Sequence, residues 1–306
     1  MTTGIWYAVL AYLFWGLVPI YWKSLQDVPS LQLICHRIAW SSVALLVPTC
    51  LSGNGSAFLR AAQSPRTLAI YAAASVTLAL NWLVYVWAVN AGFIVQTALG
   101  YFINPLFSVL LGVLVLRERL RAGQWIAVGL AGLGVAYLTV YYGGLPWVAL
   151  WLAFSFGVYG LLKKTAPLGP LQGLTLETSI LAVPAVAYLL YVDRSGHGAF
   201  VRAGPLETAL MVAAGPVTTV PLLLFAASVA QVPLSLVGML QYLSPTLQFL
   251  IGVYLYREPF TRSQFFGFAC VWAALIVFGL EAVRARRGSP RPLTGRSSPR
   301  TTSPRV

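Results

Sequence analysis

Residues Phe93 to Glu118, FIVQTALGYFINPLFSVLLGVLVLRE, form one apolar run interrupted by Gln96, Asn104 and Pro105 and closed by an Arg-Glu pair. The pattern returns from Val232 to Glu258: at a spacing of 140 Pro105 meets Pro245, Gly112 meets Gly252, Arg117 and Glu118 meet Arg257 and Glu258, and Gln124 meets Gln264. At a spacing of 141 the correspondence extends backwards, pairing Trp6 with Trp147, Gly16 with Gly157, Lys23 with Lys164 and Pro29 with Pro170. One module is therefore written twice.

Composition sets the solvent. The chain has 306 residues, of which 58% are hydrophobic and 9% charged, where a soluble domain carries about a quarter charged residues. A bilayer core about 30 Å thick takes roughly 20 apolar residues per helix, and ten such stretches follow one another: 4–22, 31–51, 68–90, 93–116, 122–141, 145–163, 171–192, 207–228, 231–256 and 263–281. The expected fold is an all-α polytopic membrane protein with ten transmembrane helices. The first run lacks a basic start and reads as a span rather than a cleaved leader.

Five spans per half is an odd number, so the second copy enters the bilayer from the opposite side and the halves, 4–141 and 145–281, form an inverted repeat. Fourteen basic residues fall on the side of the termini and five on the other, which predicts cytoplasmic N- and C-termini. Seven of the fourteen lie at 284–306 among Ser, Pro and Thr, a stretch with no apolar periodicity that reads as a disordered juxtamembrane tail. The net charge of +13 is thus concentrated in a tail that reads as solvated and without a specific role, with contact to anionic lipid headgroups as the alternative and no nucleic-acid partner implied. Asp193 to Pro205 reads as a plain exposed loop. Trp22, Trp147 and Tyr191 sit near span ends as interfacial aromatics. Gly129, Gly132 and Gly134 suggest a small-residue face for helix packing. Cys35, Cys50 and Cys270 are isolated, and the two histidines are not at metal-ligand spacing, so neither a disulfide framework nor a metal site is indicated. No nucleophile with an adjacent base is visible and no organic cofactor is implied.

Candidate function rests on polar residues inside apolar spans, where a charge costs about 2.5 to 3.5 kcal/mol and must face a partner or water. These are His36 and Arg37, Asn81 with Trp82, and Tyr101 with Asn104 in the first half. In the second half they are Glu177 with Thr178, Thr218 with Thr219, and Gln241 with Tyr242. Pro105 and Pro245 each remove a backbone hydrogen bond and are expected to break their helices beside a cavity. At about 1.5 Å per residue, His36 and Arg37 lie roughly 8 to 9 Å below one surface with Asn81 at the same level. Glu177, Thr218 and Thr219 form an inner layer, with Arg37 and Glu177 about 12 Å apart in depth. That separation argues against an Arg37–Glu177 salt bridge, and a basic and an acidic layer with Tyr101, Asn104 and Gln241 between them would suit a zwitterionic or amphipathic solute.

Several stretches resemble the drug/metabolite transporter superfamily and, within it, the EamA-type RarD proteins: AYLFWGLVPIYWK (Ala11 to Lys23), HRIAWS (His36 to Ser41), NWLVYVWAVN (Asn81 to Asn90), LGYFINP (Leu99 to Pro105), RERLRAGQW (Arg117 to Trp125), LAFSFGVYGLLKK (Leu152 to Lys164), ETSILAVP (Glu177 to Pro184) and QYLSPT (Gln241 to Thr246). The resemblance covers nearly all of 4–281. It implies two five-helix EamA repeats, an inner-membrane exporter-type permease, and a central cavity lined by the first four helices of each repeat. In that family acidic residues are common where this chain has Gln32 and Gln96, leaving Glu177 as the intramembrane carboxylate, with Glu281 at the end of the last span. The expected function is secondary transport of a small-molecule solute, with protons as a candidate coupling ion through His36 or Glu177. The alternative is a membrane scaffold or partner subunit. Oligomeric state is not specified by the sequence.

Overall fold

A computed structural model describes residues 2–51, 58–59, 63–91, 94–141, 147–257 and 262–287. The basic stretch from residue 288 on, Arg60 and Glu258, and the side chains of Asn90, Gln96 and Gln264 lie outside the described residues. The first half comprises α1 (Thr2–Lys23), α2 (Ser30–Leu51), α3 (Pro65–Asn90), α4 (Ile94–Leu114) and α5 (Ala122–Tyr141). The second comprises α6 (Trp147–Thr165), α7 (Pro170–Arg194), a one-turn α8 (Ala199–Arg202), α9 (Pro205–Gln231), α10 (Leu234–Leu240), α11 (Leu243–Leu250) continued by a π-helical turn at Ile251–Leu255, and α12 (Arg262–Arg287). Taking α10, α11 and the π turn as one passage and setting the one-turn α8 aside gives ten passages among the described residues, of which seven are long and apolar enough to cross a bilayer. With no water in lipid to satisfy the backbone, an apolar chain of this composition has to be helical.

Helix pairing is unchanged when the halves are exchanged. Helix α1 packs on α9 as α6 packs on α3, α2 on α9 as α7 on α3, and α1 on α11 as α6 on α4, while α2–α7, α4–α10 and α5–α12 join the halves. A Cβ on Gly16 would meet Leu247 at 2.8 Å, and one on its repeat mate Gly157 would meet Leu111 at 3.0 Å and Phe107, the mate of Leu247, at 3.6 Å. The ends of the fourth passages also match. Leu116 N–H donates to Leu111 O and Tyr256 N–H to Ile251 O, and Arg117 and Arg257 both adopt positive φ, 55° and 53°. In the first copy Glu118 N–H then reaches Gly112 O at 3.0 Å, one residue further back than the six-to-one bond of a Schellman cap.

The contacts also give direction. Gly4, at the start of α1, packs against Gln231 and Val232 at the end of α9, and Lys164, at the end of α6, donates to Val232 O at 2.7 Å. At the opposite face Lys23 ends α1 with its ammonium 3.6 Å from the Tyr256 ring, and the Tyr21 hydroxyl donates to Leu210 O near the start of α9. Helices α1 and α6 thus run in opposite directions. The two ends are called here the terminal face and the Lys23 face.

Three expectations need correction. Helix α4 runs unbroken through Pro105, whereas before Pro245 the helix opens at Gln241 and Tyr242. Pro245 has no N–H for Gln241 O, and Ser244 N–H donates to it instead at 3.1 Å, tightening the turn. On the small-residue face of α5, a Cβ added at Gly134 would lie 2.9 Å from Cys270 on α12, whereas one at Gly129 or Gly132 would meet open space. The segment Asp193 to Pro205 is not a plain loop. Gln32 donates to His197 O at 3.0 Å and accepts from Ala199 N–H at 2.7 Å, and α8 lays Phe200 on His36 with ring centroids 5.0 Å apart.

Candidate solute cavity

A cavity of about 490 Å³ lies between the halves on the side of the Lys23 face. Helix α2 contributes Arg37, α3 contributes Asn81, Trp82 and Tyr85, and α4 contributes Tyr101 and Asn104. From the second half come Thr218 on α9 and Gln241, Ser244, Pro245 and Gln248 around the opened turn. Tyr101 and Gln241, and Asn104 and Ser244, are repeat mates at a spacing of 140. The floor is aromatic. Tyr12, Trp15 and Phe156 line it, with Phe225 packed beneath at 6.5, 5.8 and 5.5 Å.

Arg37 dominates the electrostatics. Its Nε donates to Thr218 Oγ1 at 3.1 Å, and its guanidinium lies over Trp22 at 4.7 Å and Trp82 at 4.5 Å. Planar, weakly hydrated and always charged, a guanidinium suits such a stack. Trp22 is therefore a cavity wall rather than only an interfacial anchor, and Thr218 meets Arg37 rather than lying in a layer with Glu177. Counting depth along backbones omits the reach of a long side chain. Asn81 donates from Nδ2 to Leu152 O at 3.0 Å and Ser155 Oγ at 2.8 Å, tying α3 to α6 while its side chain lines the cavity. Asn104 Oδ1, Gln241 Oε1 and the Tyr12 hydroxyl are buried without a hydrogen-bond partner.

Other candidates stand outside the cavity. Glu177, 1% exposed, accepts from Lys163 Nζ at 2.8 Å and from the Tyr159 hydroxyl at 3.1 Å. It is sealed among helices α3, α6 and α7, with the Lys163 ammonium 5.5 Å from the Tyr71 ring. The doubled lysine at the end of α6 reads in the sequence as two loop cations; Lys163 is instead buried within the helix. Thr178 donates to carbonyls of its own helix, Leu174 and Thr175, and Thr219 donates to Pro216 O at 3.3 Å. The Tyr242 hydroxyl donates to Phe102 O at 3.1 Å, bracing α4 against the opened turn. His36 is buried under Phe200, and Pro105 packs with its carbonyl 2.8 Å from where a Gly238 Cβ would lie.

Sequence reasoning passed over Tyr12, Trp15, Trp22, Tyr85, Phe156 and Gln248, all lining residues. Aromatic side chains in an apolar span carry no signal that separates a cavity wall from a lipid-facing one. Gln248 did carry one, as an amide within an apolar run; it donates to Trp15 O at 3.0 Å. Among the described residues no three His, Cys, Asp or Glu side chains gather as metal ligands.

Comparison with known proteins agrees with this architecture. The profile of the EamA-like transporter family matches residues 2–140. The chain is 43% identical to the transporter YojE of Bacillus subtilis, covering 94% of this chain and 96% of the relative. It is 40% identical to the protein RarD of Streptomyces exfoliatus (94% and 91% covered) and 37% identical to the protein RarD of Escherichia coli K12 (93% and 96% covered). A solved crystal structure at 19% identity superposes with a TM-score of 0.70, covering 93% of this chain and 99% of its own, a likeness of fold. With identities of this size over nearly its whole length, the chain belongs to the EamA-like transporter family, a membrane transporter rather than an enzyme, alongside RarD and YojE.

Proposed function

We infer that the protein is a secondary transporter that moves a small metabolite or drug-like solute across the cell membrane by alternating access, with the cavity at Arg37 as the solute site. The observation that carries this reading is the asymmetry of the bundle. The half toward the Lys23 face holds the cavity. The half toward the terminal face is filled by Leu45, Leu174, Phe225, Val229, Val232 and Leu234 and by the Lys163–Glu177 pair. Because the two halves carry matching crossings in opposite directions, the closed end has a counterpart that can close over the cavity while the first end opens. Glu118 supports a latch at the closed end: its carboxylate accepts from Leu234 N–H at 2.6 Å and Ser235 N–H at 2.9 Å, holding α4 to the start of α10.

The basic-residue count supports cytoplasmic termini, so the cavity belongs to an outward-facing state. Reporter fusions after Leu120 and after Gly144 are expected to report cytoplasmic and external sides; the same side for both would remove a span and the inverted arrangement. Transport is tested with liposomes containing only this protein and loaded with a bacterial metabolite extract. Selective loss of one solute class over empty liposomes supports the reading. Loss identical to that from empty liposomes would return the chain to a scaffold or partner-subunit role.

A further inference from the structure

We propose that the cavity takes an organic anion with a flat apolar body, its negative group on Arg37 and its ring system against the aromatic walls. This rests on the cavity being the solute site. Of the five N–H donors of a guanidinium, the Nε–H goes to Thr218. Among the described residues the one ion pair is Lys163–Glu177, so none of the described carboxylates neutralises Arg37. A second cation, Lys23, lines the same cavity, and among the described residues no Asp or Glu does. The site is two positive charges in an aromatic, partly dehydrated chamber, where a carboxylate, sulfonate or phosphate ester on the solute would supply the missing counter-charge.

An aromatic chamber is also a way to hold an organic cation. Here the two tryptophan faces best placed for that task are already covered by Arg37 at 4.7 and 4.5 Å, and a cationic solute would sit beside a like charge without a compensating acid. The zwitterion expected from the two-layer arithmetic loses its carboxylate partner too, since Glu177 is bound to Lys163 outside the cavity. What the far side of the cavity offers is neutral. Asn104 Oδ1 on α4 and Gln241 Oε1 at the opened turn, in residues each 6% exposed, lie unpartnered. Buried amides without partners are costly, and rotation of either side chain toward the cavity would let it accept from an N–H or O–H group distal to the solute's anion. The volume of about 490 Å³ fits a molecule of one or two fused rings with a short acidic arm.

The test holds the ring constant and varies only charge. Indole-3-acetate, indole-3-acetamide and tryptamine, negative, neutral and positive at neutral pH, are titrated calorimetrically into the full chain in lipid nanodiscs. The acid is expected to bind at least about tenfold tighter than the amide and on the order of a hundredfold tighter than the amine. Arg37→Gln is expected to bring the acid to the affinity of the amide while leaving the amide within about twofold. Thr218→Val, which releases Nε, should give an intermediate loss for the acid alone. Should Arg37→Gln fail to fold, the order of the three probes on the unmodified chain decides. Amine binding equal to or tighter than acid, an acid preference that survives Arg37→Gln, or no binding of the acid would each overturn the proposal. The same probes in proteoliposome efflux separate it from the transport reading. Charge-ordered binding without efflux of the acid would overturn transport and keep the anion site, and efflux of tryptamine but not of the acid would do the reverse.

Discussion

The two ends of the bundle occupy corresponding positions of a repeated scaffold, yet their chemistry differs. At a spacing of 141, Glu177 corresponds to His36, Thr178 to Arg37, Lys163 to Trp22 and Tyr159 to Val18. Toward the terminal face the charges are matched and dry: ammonium and carboxylate are 2.8 Å apart, with side chains 3% and 2% exposed. Toward the Lys23 face the charge is a guanidinium with one hydroxyl partner and two tryptophans, open to a cavity. Matching crossings thus carry different side chains, which pack one end around an ion pair and leave the other open to a cavity.

The largest effect expected is at the seal. Glu177→Leu strands a buried ammonium and should destabilise the protein by about 3 to 5 kcal/mol, whereas the double replacement Lys163→Met with Glu177→Leu should recover most of the loss. Thermal unfolding in detergent would show both. Arg37→Ala should cost only about 1 to 2 kcal/mol, the worth of one hydrogen bond and two cation–π contacts at a cavity wall. A loss at Arg37 equal to that at Glu177, rescued by Glu177→Ala, would establish coupling between the ends and dissolve the contrast.

Next come the matched glycines. Gly16→Ala drives a Cβ to 2.8 Å from the Leu247 Cβ and should cost about 1 to 3 kcal/mol. At Gly157 the nearest atom is the tip of Leu111, 3.0 Å away and free to swing, so Gly157→Ala should cost less than about 1 kcal/mol. Equal costs would mean that the two crossings are equally tight. Glu118→Gln removes the negative charge from the start of α10 and should cost about 1 to 2 kcal/mol in the same melts. It should also raise thiol labelling of Thr178→Cys, because the terminal end is then less firmly latched.

The smallest expected signal is a labelling pattern with no change in stability. In a background lacking Cys35, Cys50 and Cys270, Thr218→Cys should react with a membrane-impermeant reagent added at the Lys23 face. His36→Cys should react slowly because Phe200 covers the position. Fast reaction at position 36 would place α8 away from α2 and enlarge the open end.

Much of this was legible beforehand for a simple reason. In a bilayer each apolar run of about 20 residues has to become a helix, so spans and their number follow from composition, and the 140-residue echo from Pro105 to Pro245 follows from counting. Arg37 stood out by the same logic, as a charge too costly to bury without a purpose. Lys163 did not, because two adjacent lysines at a span end look like a loop; only the crossing of α6 with α7 turns one of them inward onto Glu177. The opened turn at Gln241 but not at Tyr101, the docking of Phe200 on His36 and the aromatic floor under the cavity were likewise decided by tertiary structure. Sequence determines where a helix must be and which of its residues are expensive; which side chains meet depends on the rotation and tilt of each helix against its neighbours, and those are set by packing among all ten at once.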